Sequence, residues 1–423
     1  MSNTPISDTD TPDPWMVPGP NGFFYLTFTA GNRVEIWQSA DMQDFRQPQC
    51  TRSVVWKPSP GSPWSVDIWA PELHCLDGTW YVYFCGAHPG LGNPSHRTLV
   101  LRSSRQDPMD PGGWVFLGPL RGLPDHWNID ATVFWIGNRN RPQTSRNTRR
   151  LFCCYSGWPL HDHSDTQQDL FLIELATPEQ AIPETLVCIS RAELAWERPD
   201  GGRRGVNEGP TWLEILGPGD LTNANGNNTN SNSPTGEDFG FTFRGIIYSA
   251  NGSWTSDYKL GVLQLVDGNA DPLQPSSWQK RPTPLLESDR RHGATGPFGP
   301  GHASFIVSPP VLSRPTNSRV YCIYHATAKE GEGWNNRKAR VLCLTPEHFL
   351  PQAQTLCCAG TGVGAAAASM SWTQYPGGMA GHGHPQSQSQ RSSGQAAHQR
   401  DPSHGKSLMD RIGEKVYKTL KEL

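Results

Sequence analysis

The sequence predicts an all-β fold: a five-bladed β-propeller, followed by a disordered C-terminal tail that ends in a short amphipathic helix. Three observations predict it. A loose repeat recurs five times, each unit holding an aromatic strand, a gap and a second apolar strand. Trp, Gly and Pro are plentiful (16, 43 and 38 residues), whereas helix-favouring Ala/Glu/Lys/Leu stretches are scarce before the tail, a balance that suits short strands joined by tight turns. A polar residue stands just before an apolar strand in unit after unit. Arranging five sheets in a ring protects the edges that each would otherwise expose. An irregular β-sandwich is the competing fold.

The first unit is Phe23-Phe24-Tyr25-Leu26 followed by Val34-Glu35-Ile36-Trp37. The second is Trp80-Tyr81-Val82-Tyr83-Phe84, then Leu99-Val100-Leu101. The third pairs Leu151-Phe152-Cys153-Cys154-Tyr155 with Leu170-Phe171-Leu172-Ile173. The fourth runs from Phe241 to Tyr248, then Leu260-Gly261-Val262-Leu263, and the fifth pairs Val320-Tyr321-Cys322-Ile323-Tyr324 with Arg340-Val341-Leu342-Cys343. An Asn/Gly/Thr/Ser-rich insertion, 217–237, reads as a disordered surface loop, and the basic run 139–150 as a solvated one. After residue 356 the composition changes. The propeller is therefore expected over 11–356, with a low-complexity linker over 357–406 and an amphipathic helix over 407–423 carrying Leu408, Ile412, Val416 and Leu420 at spacings of four. That helix is a candidate contact for a protein partner. His382 and His384 in the linker read as part of a solvated tract.

A net charge of -3 gives no long-range reason to bind nucleic acid, and no apolar run reaches the length of a membrane span. Met1 to Asp13 lacks the basic-then-apolar layout of a secretory signal. Ten cysteines without metal-ligand spacing fit buried thiols better than a disulfide framework. Together these predict a cytoplasmic protein, with secretion through a missed signal exon as the alternative, toward which the sequons at Asn227 and Asn251 point weakly.

The chemistry is carried by acids in apolar, aromatic settings: Asp13 in Asp13-Pro14-Trp15, Asp130 in Ile129-Asp130-Ala131-Thr132, and Glu208 in Asn207-Glu208-Gly209-Pro210. Buried acids are rare unless paired or used. Asp67-Ile68-Trp69-Ala70-Pro71-Glu72-Leu73-His74 and Gly299-Pro300-Gly301-His302 share the same layout ahead of a strand. In a propeller the innermost strands line the axis, so such residues converge. Converging carboxylates with separated pKa values suit hydrolysis of a glycosidic bond, which needs one carboxylic acid and one carboxylate.

Over residues 11 to 350 these segments resemble glycoside hydrolase family 43, most specifically in Trp69-Ala70-Pro71-Glu72-Leu73-His74, Asn207-Glu208-Gly209-Pro210 and Gly299-Pro300-Gly301-His302. The resemblance implies a five-bladed propeller that cleaves arabinofuranosides or xylosides with inversion. It implies Asp13 as general base, Glu208 as general acid, and Asp130 as the residue that orients the acid and tunes its pKa. His302 matches an axial histidine that helps hold a hydrated calcium or sodium ion; no other cofactor is expected. Asn336-Arg337 to Arg340 resembles the segment whose Arg reaches the sugar, with Arg340 favoured. Trp69, Glu72 and Ile129 are further candidates for substrate contact. The α-L-arabinofuranosidase branches match best, implying exo action on short, imported arabino-oligosaccharides. β-Xylosidase, endo-arabinanase and a non-catalytic sugar- or protein-binding propeller are the alternatives.

Overall fold

The computed structural model describes residues 4–137, 149–216, 241–266, 270–290, 296–308 and 318–358. All of them belong to one compact unit, Met1–Ser369. The insertion 217–237, most of the basic run, and everything after residue 358, including the expected linker and terminal helix, lie outside the described residues. Among the described residues the fold is all-β, with short 3-10 turns as its helical elements. No described helix is long and apolar enough to cross a membrane.

Five antiparallel meanders follow one another, and every aromatic or apolar run of the repeat falls on a strand. The first is β1 (Trp15–Pro18), β2 (Phe24–Thr27), β3 (Val34–Ser39) and β4 (Cys50–Trp56), and the second is β5 (Val66–Leu76), β6 (Thr79–Ala87), β7 (Arg97–Ser103) and β8 (Trp114–Pro119). The third is β9 (Asn128–Gly137), β10 (Arg149–Gly157) and β11 (Gln167–Thr177), with β12 (Gln180–Ala181) and β13 (Val187–Ser190) both on β11. The fourth is β14 (Gly205–Leu216), β15 (Phe241–Ala250) and β16 (Lys259–Leu265), with β17 (Trp278–Lys280) and β18 (Leu286–Glu287) on β16. The fifth is β19 (Phe298–Ser308), β20 (Arg319–Thr327) and β21 (Lys338–Leu344). A short parallel contact, Gln167 and Gln168 of β11 with Gly205 and Val206 of β14, merges the third and fourth meanders into one sheet. A last strand, β22 (Leu356–Cys357), pairs in parallel with β18.

The core lies between successive meanders, because each sheet is apolar on both faces. Tyr25, Ile36, Val82 and Phe84 join the first to the second. Tyr83, Val133, Tyr155 and Ile173 join the second to the third. Phe152, Leu172, Ile246 and Tyr248 join the third to the fourth, and Phe243, Val262, Cys322 and Tyr324 the fourth to the fifth. The first strands β1, β5, β9, β14 and β19 touch in cyclic order, β19 returning to β1. The N-terminal segment adds a seam: Ile6 N–H donates to Ala339 O and Thr11 N–H to Arg337 O. All ten cysteines are free.

Candidate active site

On or just ahead of each first strand, a residue has a left-handed backbone at the matching place. These are Asp13 (φ 54°), Ala70 (φ 45°), Asp130 (φ 55°), Gly209 (φ 52°) and His302 (φ 44°). In β5, β9, β14 and β19 the ladder slips at this point, so two residues face one on the neighbouring strand. Such a bulge re-aims a side chain out of the strand's alternation. A left-handed non-glycine residue costs on the order of 1–3 kcal/mol, so something must hold it.

What holds it is a ring of acceptors, each supplied by the neighbouring meander. Ala70 N–H donates to Thr29 Oγ1 at 2.7 Å, His302 N–H to Ser249 Oγ at 2.7 Å, and Asp13 N–H to His325 Nδ1 at 2.9 Å. Asp130 N–H faces Cys85 Sγ. At the fourth meander the acceptor is a carboxylate: Gly209 N–H donates to Asp130 Oδ2 at 3.0 Å. Each acceptor belongs to the preceding meander, and His325 of the last meander serves Asp13 of the first.

These five positions bring Asp13, Asp130, Glu208 and His302 together. His302 Nδ1 lies 3.2 Å from Asp13 Oδ1 and 3.9 Å from Asp130 Oδ2. Burial alone would push this imidazole to a low pKa, but Asp13, Asp130 and Glu72 override it and raise it to about 10, so His302 is an imidazolium. Burial likewise acts to raise Asp13, yet His302, His325 and the 2.6 Å bond donated by Thr29 Oγ1 hold it well below the usual carboxylate range. Asp13 keeps 21% of its side chain exposed, so solvent reaches it.

Glu208 behaves oppositely. Burial first, and then the negative charge of Asp130, raise it to about 7, against the hydrogen bond from Tyr258 and the attraction of His302. Gln168 Nε2 donates to its Oε2 at 3.1 Å. Asp130 is itself raised to about 6, by burial and by Asp13, partly offset by His302 and the Gly209 N–H. Near neutral pH the cluster therefore offers an ionised carboxylate at Asp13 and, at Glu208, a carboxyl that is still about half protonated.

The other expected residues divide. Trp69 is half-buried and stacks on His96 with ring centroids 4.0 Å apart; Ile129 packs with Trp127 and Trp158 beside it. Glu72 is a correction, because it is enclosed rather than open to a substrate. Burial raises it well above the ordinary range and lowers His74 to about 3; its carboxyl stands 2.8 Å from His74 Nε2, with Thr132 also bonded to it. Arg340 is a second correction. It stands beside Tyr324 and Cys358, whereas Arg337 lies in the field of Asp13 and Glu208, faces His325 and sits 5.7 Å from the Tyr258 ring. The ion expected near His302 is a hydrated one, reached through water; among the described residues no group of three or more His, Cys, Asp or Glu is arranged to hold a metal directly, and His302 Nδ1 lies against Asp13.

Sequence reasoning missed Tyr258, His325, Thr29 and Gln168, and of the two arginines it named it favoured Arg340 over Arg337. One signal was available for Tyr258: Gly301 lies against its ring, and a Cβ there would come within 2.0 Å of Tyr258 Cε1.

Known proteins resemble this chain in sequence and in fold. The model for glycosyl hydrolases family 43 matches residues 2–217. An "Extracellular exo-alpha-(1->5)-L-arabinofuranosidase" of Streptomyces avermitilis is 29% identical over 304 residues, covering 70% of this chain but 51% of that protein, so the chain spans about half its length. A protein of the same description from Streptomyces chartreusis is 29% identical over 299 residues, covering 70% of this chain and 75% of its own. The crystal structure of an α-L-arabinofuranosidase from Lactobacillus brevis superposes with a TM-score of 0.62 at 25% identity, covering 81% of this chain and 93% of that one. The expectation of a cytoplasmic location is overturned, since both Streptomyces relatives are described as extracellular.

Proposed function

This chain belongs to glycosyl hydrolase family 43, and from that membership we propose that it is an inverting, exo-acting α-L-arabinofuranosidase releasing terminal L-arabinofuranose from arabino-oligosaccharides. One observation carries the reading. Asp13, Asp130 and Glu208, from three separate meanders, gather around His302 with their protonation driven apart, Asp13 ionised and Glu208 raised to about 7. The exo-arabinofuranosidase descriptions of the relatives supply the sugar.

In this reading Asp13 draws a proton from a water that attacks the anomeric carbon. Glu208 gives its proton to the departing oxygen as the glycosidic bond breaks. Inversion requires room for the water, so the two carboxyl groups are expected about 6.5–9.5 Å apart. Asp130 keeps Glu208 protonated and, by bonding the Gly209 N–H, fixes the backbone beside it. Ionised Asp13 and Asp130 stabilise the oxocarbenium-like transition state. The His302 imidazolium supplies positive charge that orients Asp13. Arg337 takes the role of terminal-subsite cation, with Trp69 and Ile129 lining the sugar. The cyclic contact of β1, β5, β9, β14 and β19 supports a five-bladed propeller. The substrates are arabinose-containing oligosaccharides, and the enzyme is read as secreted.

The test is product analysis on nitrophenyl arabinofuranoside, nitrophenyl xyloside and debranched arabinan, with the first-formed anomer followed by NMR. Arabinose released with inversion is expected. Xylose without arabinose, or arabinose with retained configuration, rejects the assignment.

A further inference from the structure

Directly behind Glu208 lies a buried ion pair that this mechanism does not use. Glu197, on the 3-10 turn Ala195–Glu197, is fully enclosed, with none of its side chain exposed. Lys280 Nζ of β17 donates to its Oε1 at 2.8 Å and its Oε2 at 3.1 Å. Tyr248 OH donates to Oε1 at 2.7 Å, and Leu194 N–H to Oε2 at 2.8 Å. Asn207, the residue just before Glu208, completes the set: its Nδ2 donates to Glu197 Oε1 at 3.0 Å. Asn207 Oδ1 accepts from Lys280 Nζ at 3.1 Å and from Ser190 Oγ at 2.8 Å. Its backbone O accepts from Ser156 Oγ at 2.8 Å.

A charge so enclosed is costly unless its bonds are made, and here they are. Its geometric effect falls on Glu208. Successive side chains on a strand point to opposite faces, so pinning Asn207 toward Glu197 and Lys280 fixes the opposite direction for Glu208. One residue further on, the Gly209 N–H is held by Asp130. Glu208 is thus clamped on both sides by fixed backbone.

We propose that Glu197, Lys280 and Asn207 are positioning residues for the general acid, holding the Glu208 carboxyl on the line to the departing glycosidic oxygen. The proposal rests on Glu208 being that acid. A shift of about 1 Å in a reacting group costs on the order of 10²-fold in rate. The loss is selective, because an activated phenol leaves without a proton and an alcohol does not.

The experiment compares an arabino-oligosaccharide with 2,4-dinitrophenyl arabinofuranoside for wild type, Glu197→Gln, Asn207→Ala and Glu208→Gln. Asn207→Ala keeps the ion pair and guards against a Glu197→Gln variant that fails to fold. Glu208→Gln must lose the oligosaccharide and keep the dinitrophenyl substrate; if it does not, the general-acid assignment fails and this inference with it. If Glu208→Gln shows the signature, Glu197→Gln and Asn207→Ala are expected to lower kcat on the oligosaccharide about 10- to 100-fold. They should leave KM and the dinitrophenyl rate within about threefold of wild type. Equal losses on both substrates mean a merely structural role and overturn the proposal, as does no loss on either.

Discussion

Replacing Asp130 by Asn probes the proton balance of the site with little disturbance of its shape. The amide keeps an oxygen that can accept the Gly209 N–H, so the bulge in β14 remains held. What disappears is a negative charge, named after burial as a cause of the raised Glu208 pKa of about 7. A neighbouring like charge typically moves a carboxyl by about 1–3 units, and because burial persists we take the low end, about 1 to 1.5 units downward. At pH 7 the protonated fraction of Glu208 then falls from about one half to between roughly 3% and 9%, so kcat/KM drops about 5- to 15-fold.

At pH 5 the two enzymes converge, because Asp130, raised to about 6, is itself mostly protonated in the wild type. Loss of the carboxylate from the transition state lowers the rate by a similar factor wherever Asp130 is ionised. The displacement of the alkaline limb therefore isolates the pKa effect. The assay is kcat/KM against pH on an arabino-oligosaccharide, whose alkoxide leaving group demands the acid. The alkaline limb should move to lower pH in the variant. A limb that stays near 7 or moves upward refutes the assignment of Asp130 as the group that keeps Glu208 protonated.

Three further outcomes are expected. Thr29→Val removes the hydroxyl that donates to Asp13 and accepts from the Ala70 N–H; the orphaned N–H should cost about 1–3 kcal/mol in denaturant unfolding, with Thr29→Ser restoring most of it. Gly301→Ala drives a Cβ into the Tyr258 ring, so about 1–3 kcal/mol of stability and at least tenfold in kcat should be lost together, whereas Tyr258→Phe should spare stability more than activity. Glu208→Gln should be more stable than wild type at pH 8 by about 3 kcal/mol and equal to it near pH 4. The folded pKa of about 7 lies above the model value of 4.5, so stability present below the unfolded value is lost as pH rises through the folded one, and Gln never ionises. Equal thermal midpoints at pH 8 would contradict that sign.

The acids were legible because each interrupts an apolar pattern just ahead of a strand, and the repeat told which strands share a hub. Asp130 and Glu208 are surrounded in sequence by Ile129, Ala131, Gly209 and Pro210, where a solvated acid has no place. The supporting residues gave no such sign. Tyr258 follows Ser256 and Asp257, and Glu197 sits between Trp196 and Arg198, so each reads as an ordinary surface residue until pairing across the sheets is known. Arg337 and Arg340 differ by three positions, an odd number, which places them on opposite faces of an extended chain. Choosing Arg340 amounted to choosing the wrong face, and only the register of β21 with β20, where Arg340 lies opposite Tyr324, decides between them. The left-handed backbone was hidden as well, because Asp and His do not announce positive φ as glycine does.

That backbone explains why chemistry and fold are inseparable here. If residue identity had set the conformation, glycine would be expected at all five left-handed positions, since it adopts positive φ without strain. Glycine occurs once, at Gly209, where a Cβ would press on the His302 ring at 3.0 Å. Three of the others, Asp13, Asp130 and His302, accept the strain and carry the central charges. Ala70 accepts it with no chemistry to perform, so the conformation follows from position, set by the acceptors Thr29, Cys85, Asp130, Ser249 and His325. Three members of that circuit have a second duty: Thr29 also donates to the Asp13 carboxylate, His325 lies 3.5 Å from it, and Asp130 holds the backbone beside Glu208 while raising its pKa. The hydrogen bonds that close the strands on one another are therefore the same ones that set which carboxyl is ionised and which is protonated.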